Sequence, residues 1–172
     1  AENFYMTENG IPVTAQKLEG SAYSNDVCDI VVVLDRSVQT SQYNEALETA
    51  LKEIAGSMEG KGTLTVISSG SVPTTEYSGA PNNLGDFTVK ALKTPVAADC
   101  TTDLALRLAG NTLVNGEKKR AIIYLTGASS LTHSSFSTYG LSDMVSYFNN
   151  NGISFYTVNL TQNVLPEEII YI

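Results

Sequence analysis

The feature that most constrains the fold is the run Ile30-Val31-Val32-Val33-Leu34, entered from Asp29 and followed by Asp35-Arg36-Ser37-Val38-Gln39-Thr40. A β-branched stretch that is apolar at every position has no wet side. It suits a central strand of a parallel sheet, covered by helices on both faces. Open α/β sheets of this kind bind ligands at the carboxyl ends of their strands. Asp35, Arg36, Ser37 and Gln39 are therefore the first candidates for function.

The rest of the chain supplies neighbours for that strand. Thr63 to Ile67, Ala121 to Leu125 and Ile153 to Val158 read as further strands, with a short edge segment near Thr75-Glu76-Tyr77. Helical spacing recurs in three places: Tyr43, Ala46, Leu47, Ala50, Leu51 and Ile54; Leu104, Ala105, Leu108, Ala109 and Thr112; and Leu141, Met144, Val145 and Phe148. Thr40-Ser41 is expected to cap the first helix and Gly56 to end it. Thr101 or Thr102 is expected to cap the second, with Asp103 in its first turn, where a carboxylate favours the helix dipole. Residues 79 to 101 carry no clear pattern. Strands alternating with helices across short joints predict a doubly wound α/β sandwich with a mostly parallel sheet. At the start, Phe4 to Thr7 and Ile11 to Thr14 flank Glu8-Asn9-Gly10, and Asn-Gly between β-like runs signals a hairpin. Residues 1 to 24 are thus expected to form a β-ribbon appended to a domain over residues 25 to 172.

At 172 residues the chain is long enough to bury a core without disulfides. Its net charge of -8 repels phosphate backbones and anionic surfaces, which argues against nucleic acid as a partner, and no apolar run is long enough to insert in a membrane. It opens at Ala1-Glu2 without a leader, as a mature product or an excised segment would. If Cys28 begins the central strand and Cys100 lies beside Asp35, about six residues at roughly 3.3 Å each separate them, beyond disulfide reach. Both are read as free thiols.

Asp35-x-Ser37-x-Gln39 resembles the Asp-x-Ser-x-Ser start of the metal-ion-dependent adhesion site of von Willebrand factor A domains, with glutamine in place of the last serine. Thr101-Thr102-Asp103-Leu104 resembles the family's second loop. Ala121 to Gly127 is similar to its fourth strand and third loop, Asn151 to Val158 to its penultimate strand, and Leu165 to Ile172 to the start of its last helix. The resemblance spans roughly residues 28 to 170, and the order and spacing of the segments agree with one another.

The resemblance implies a Rossmann-like fold and a magnesium ion at the sheet edge, held by Asp35, Ser37, the position of Gln39, and Thr102, with Thr101 in reserve. Magnesium needs near-octahedral oxygen ligands, so departures matter. Gln39 replaces a hydroxyl, Gly127 stands where the family's Leu-Thr-Asp-Gly places a second carboxylate, and Arg36 adds a competing positive charge. Asp99 and Asp103 are the acids left to substitute. The implied site is degenerate, with no cofactor or only weakly bound magnesium, and Gln39→Ser with Gly127→Asp is expected to restore binding. The implied function is a non-catalytic, adhesion-type module that binds a protein partner, within an extracytoplasmic (secreted, periplasmic or cell-surface) protein of bacterial type. The alternative is a magnesium-dependent receptor using Asp35, Ser37 and Thr102. Expected partner contacts are Arg36 and Gln39, with Phe136 and Tyr139 from the Ser/Thr-rich loop beyond Gly127.

Two features point toward enzymes and are weaker. Leu125-Thr126-Gly127-Ala128-Ser129-Ser130 resembles the cofactor loop of short-chain dehydrogenases, but Leu131 replaces the next required glycine and about 45 residues remain after Gly127. His133 beside Ser134 and Ser135 places a base next to hydroxyls, without the Gly-x-Ser-x-Gly turn that exposes a nucleophile. Asn159-Leu160-Thr161 is a formal glycosylation sequon.

Overall fold

The computed structural model describes residues 7–8, 11–12, 27–116 and 119–172. The apolar run becomes β3 (Cys28–Asp35), the centre of a five-stranded sheet. Its neighbours are β4 (Leu64–Ser69) and β6 (Lys119–Thr126), both parallel to it. Outside them lie β5 (Thr74–Gly79), antiparallel, and β7 (Ile153–Asn159), parallel, in the order β5-β4-β3-β6-β7. The short strands β1 (Thr7–Glu8) and β2 (Ile11–Pro12) pair antiparallel, with Glu8 opposite Ile11, as the Asn9-Gly10 signal predicts. The expected boundary between residues 24 and 25 lies outside the described residues.

Helices cover both faces of the sheet. α1 (Asn44–Ser57) sets Leu47, Leu51 and Ala55 against Val32, Leu34, Leu64, Val66 and Leu125. On the opposite face α2 (Thr102–Leu113) and α3 (Leu141–Asn150) bury Leu106, Ala109, Met144 and Phe148 against Val31, Val33, Ile67, Ile122 and Tyr124. A last short helix, α4 (Glu167–Tyr171), adds Ile169 to that second core. Consecutive residues of β3 thus feed different cores, which is why the run shows no polar alternation.

Several local expectations change. Thr40 and Ser41 do not cap α1. They lie in a 3-10 turn (Thr40–Tyr43), and the residue preceding α1 is Tyr43, which makes no side-chain cap. Gly56 stays inside α1, and the chain reverses through Glu59 at φ 50° and Gly60 at φ 74°. Thr101 precedes α2 without capping it, because its hydroxyl donates to the Gly70 carbonyl at 3.2 Å. The buried face of α2 runs through Ala105, Leu106, Ala109 and Leu113, with Leu108 only partly buried, so the spacing chosen around Leu104 and Leu108 sits off the true stripe. The patternless stretch 79 to 101 contains two 3-10 turns, Pro81–Asn83 and Val89–Ala91, and then runs past Ser37, which bridges to Ala97. Cys28 opens β3, Cys100 is buried near the other end of that strand, and both are free thiols.

Candidate functional site at the carboxyl edge of the sheet

Asp35 ends β3 and is buried. The parallel register pairs Leu34 with Leu125 and Asp35 with Ser69, so strand alternation turns Asp35, Ser69, Tyr124 and Thr126 to the α2 side. There the Asp35 carboxylate collects donors from two loops. Oδ1 accepts the Ser37 N–H at 2.8 Å. Oδ2 accepts the hydroxyls of Ser37 at 3.0 Å, Thr40 at 2.5 Å and Thr126 at 2.7 Å. The threonines pass the connection on: Thr40 Oγ1 accepts the Gly127 N–H at 2.9 Å, and Thr126 Oγ1 accepts the Ala128 N–H at 3.0 Å. One carboxylate therefore ties the loop after β3 to the loop after β6, through charge-assisted hydrogen bonds of the stronger kind.

Gln39 adds a second tie between the same loops. Its Oε1 accepts the Ser129 N–H at 3.1 Å, while Nε2 donates to the Ser130 carbonyl at 3.2 Å and to its hydroxyl at 3.1 Å. The longer amide that replaces a serine hydroxyl thus spans the gap between the loops.

Thr102, the first residue of α2, is 1% exposed, and its hydroxyl lies within reach of the buried Tyr124 hydroxyl. It lines a cavity of about 60 Å³ together with Asp35, Ser37, Gln39, Cys100 and Ser130. Burial first, then the negative charges of Asp35 and Asp99, push the Cys100 thiol up to about 12. The Tyr124 hydroxyl is driven well above the ordinary tyrosine range by burial and the Asp35 charge, opposed by hydrogen bonding to Thr102 and Thr126.

The structure brings Asp35, Ser37, Gln39 and Thr102 together as the sequence predicts, but separates the expected partner contacts. Arg36 is only 6% exposed. Its Nη1 lies 3.5 Å from Asn44 Oδ1 and its Nε has no partner, so it does not fork outward onto a carboxylate as expected. Burial lowers its pKa, opposed by the charges of Glu76 and Asp35. Phe136 and Tyr139 are half-buried and pack against the α2–α3 core, and the Arg107 guanidinium lies 5.3 Å from the Tyr139 ring centroid. The loop carrying them is held from α2. Asp103, fully buried, accepts the N–H groups of Thr138 at 2.7 Å and Tyr139 at 2.9 Å through Oδ2. Asp103 is thus a loop anchor and does not substitute as a metal ligand. Ser135 is buried and shares a hydrogen bond with Thr132, which makes the Ser134-Ser135 pair beside His133 part of the loop's scaffolding.

These donors fit a firmly held magnesium ion poorly. The single carboxylate already receives four hydrogen bonds, whereas the ion needs about six oxygens at near-ideal geometry. At Gly127 a Cβ would lie 2.5 Å from Tyr43 Cδ2 and 3.3 Å from Thr161 Cγ2, so any side chain there displaces the Tyr43 ring. Restoring binding with Gln39→Ser and Gly127→Asp would therefore also require the Tyr43 ring to move. Among the described residues no group of three or more His, Cys, Asp or Glu side chains converges as a metal cluster.

The roles of Thr40, Thr126 and Tyr43 at this site escaped the sequence reading. The available signal was alternation: Thr126 continues the Ile122-Tyr124 face of β6 past the apolar run, at the level of Asp35.

No family model and no curated protein matches the chain in sequence. Solved structures match in shape. Proximal thread matrix protein 1 from the mussel byssus superposes with a TM-score of 0.63 at 17% identity, covering 84% of this chain and 38% of its own. Another structure of that protein, described as having a zinc-occupied MIDAS motif, gives 0.62 at 17%, covering 85% of this chain and 39% of its own. The SpRpn10 VWA domain gives 0.51 at 11%, covering 83% and 94%, and the pilus adhesin SpaC from Lactobacillus rhamnosus GG gives 0.50 at 21%, covering 59% and 15%. The chain thus spans well under half of the byssus protein. With the sheet order and helix placement above, these likenesses establish that the chain has the fold of the von Willebrand factor A domains.

Proposed function

We propose that residues 25 to 172 form a non-catalytic protein-binding module, with residues 1 to 24 as an appended ribbon, and that its docking face is the carboxyl edge of the sheet. The observation that carries this reading is the Asp35 network, in which hydroxyls and backbone N–H groups join the loops that a cation would otherwise join. An edge fixed by its own hydrogen bonds presents its loops without metal, and loops on a rigid scaffold are where binding residues concentrate. Gln39 and the segment from Ala128 to Tyr139 supply the accessible part of this face. Phe136 and Tyr139 contribute their exposed portions, and Arg36 contributes from beneath. The byssus protein and pilus adhesin among the structural neighbours support an adhesive, extracytoplasmic setting.

The test is a footprint. Peptides selected from a display library against the immobilised chain are bound in the presence of EDTA, and amide hydrogen exchange is followed. Protection is expected in residues 36–39, 96–101 and 128–139. Protection confined to Thr7–Pro12 or to β7, or binding abolished by EDTA and restored by magnesium, refutes the reading.

A further inference from the structure

Away from the edge cavity, one cation has a fixed place and no polar partner. Arg107, on α2, is half-buried between two rings. Its guanidinium carbon lies 3.6 Å from the Tyr147 ring centroid and 5.3 Å from that of Tyr139. The shorter distance is van der Waals contact over the ring face, where the quadrupole attracts a cation. Stacking of this kind uses the flat face of the guanidinium. It leaves unused the five N–H donors around its edge. Among the described residues none of them meets an acceptor, and Arg107 makes neither a hydrogen bond nor an ion pair.

The acids nearest in the chain are engaged elsewhere. Asp103, one helical turn earlier, gives Oδ1 to the Leu104 N–H at 2.7 Å and Oδ2 to the Thr138 and Tyr139 N–H groups. Asp143 accepts the Gly140 N–H at 3.2 Å.

Both rings are held without help from the arginine. A Cβ on Gly110 would fall 2.4 Å from Tyr147 Cε1, so the glycine is what lets that ring lie against α2. The Tyr147 hydroxyl donates to Asn111 Oδ1 at 2.7 Å. Tyr139 is fixed through its backbone N–H on Asp103. The guanidinium is thus ordered before any ligand arrives, and little side-chain entropy remains to be lost on binding.

The number of cations selects the anion. Arg107 is the sole Lys or Arg between Thr102 and Leu113, there is none from Gly127 to Asn150, and the chain carries -8. A polyanion such as nucleic acid needs several cations in a row. One planar fork suits one carboxylate, taken bidentately. An arginine flanked by tyrosines is also the residue set that dominates protein-binding hot spots.

We propose that Arg107, between Tyr139 and Tyr147 on the α2–α3 face, receives an aspartate or glutamate side chain of a protein partner. This contact lies on the flank of the domain and does not rest on the docking face proposed above.

The test uses peptides selected by display on the immobilised chain in EDTA and then passed over Arg107→Met to remove those that do not need the arginine. The remainder should carry Asp or Glu at a common position and shift amide NMR signals within residues 104–111 and 138–147. Replacing that acid by its amide, or Arg107 by Met, should each weaken binding about tenfold. Both changes together should weaken it little more than either alone, because they remove the same contact. Arg107→Lys, which keeps the charge without the fork, should still bind about fivefold weaker than the unmodified chain. The proposal is overturned if every selected peptide binds Arg107→Met undiminished, if the arginine-dependent peptides share no acid, or if Arg107→Lys binds as well as arginine. Shifts at residues 36–39 and 96–101 without 104–111 overturn it and leave the edge reading standing. The opposite pattern overturns the edge reading alone.

Discussion

Thr126→Val tests the Asp35 network where it joins the two loops. The substitution keeps the shape of a fully buried side chain and removes one oxygen. Two interactions go with it: the 2.7 Å donation to Asp35 Oδ2 and the 3.0 Å acceptance from the Ala128 N–H. A hydrogen bond to a charged group contributes about 1.5–3 kcal/mol, and a buried N–H left without an acceptor costs about 1–3 kcal/mol. The extra methyl returns about 0.8 kcal/mol as buried apolar surface. The net loss is therefore about 3 kcal/mol, or roughly 6–12 °C in melting temperature for a chain of this length. Urea titration followed by circular dichroism reads it as a lower midpoint at unchanged slope. Thr126→Ser, which keeps the oxygen, should cost about 1 kcal/mol through its lost methyl. If Thr126→Val is no worse than Thr126→Ser, the network does not stabilise the edge and the argument for a metal-independent docking face loses its support.

Magnesium at millimolar concentration should move the melting temperature of the unmodified chain by less than about 1 °C, because a ligand near or below its dissociation constant contributes only a few tenths of a kcal/mol. Gly127→Asp should destabilise by about 2 kcal/mol or more through its clash with Tyr43, and should acquire no magnesium-dependent shift in calorimetry unless Tyr43 is also reduced to alanine. Cys100, buried with its thiol pushed up to about 12, should react with iodoacetamide at pH 8 more slowly than partly exposed Cys28, whose thiol burial and Asp29 also raise, with mass spectrometry locating the label. The same shift means that the folded state keeps a proton that the unfolded state releases, so this contribution to stability is complete below about pH 9 and declines as pH rises toward 12, as denaturant midpoints across that range should show. Asp103→Ala should release the Thr138 and Tyr139 amides, seen as faster hydrogen exchange confined to that loop.

What the sequence disclosed, and what it hid, follows from the range of the interactions involved. β3 and β6 were legible because burial on both faces leaves an unbroken apolar run, and α3 because its buried Met144 and Phe148 sit on one regular stripe. The α2 stripe was misplaced because Leu104 and Leu108 compete in the pattern with Leu106, the leucine that is fully buried. Asp35, Ser37, Gln39 and Thr102 were found as neighbours from their motif spacing, but what they do was not. Thr40 looked like a helix cap, which is a local role, yet its hydroxyl serves Asp35 and a backbone N–H 87 residues away. Arg36 looked outward-facing because it follows an acid at a sheet edge, yet the chain turns it inward toward Asn44. The filled space at Gly127 depends on the Tyr43 ring, and no sequence pattern relates those two positions.

The central place of β3 also sets the timing of assembly. One side of this strand is completed by β4 soon after it emerges, with Ile30 beside Leu64, but the other waits for β6, with Ile30 beside Ala121. The Asp35–Thr126 link spans 91 residues. At synthesis rates of about 5–20 residues per second, the most apolar strand of the protein stands with one bare edge for roughly 5–20 s before its partner leaves the ribosome. A bare edge of valines and isoleucines is a template for pairing with other chains. Slower translation or a stall between β4 and β6 should therefore lower the soluble yield even when the finished fold is stable.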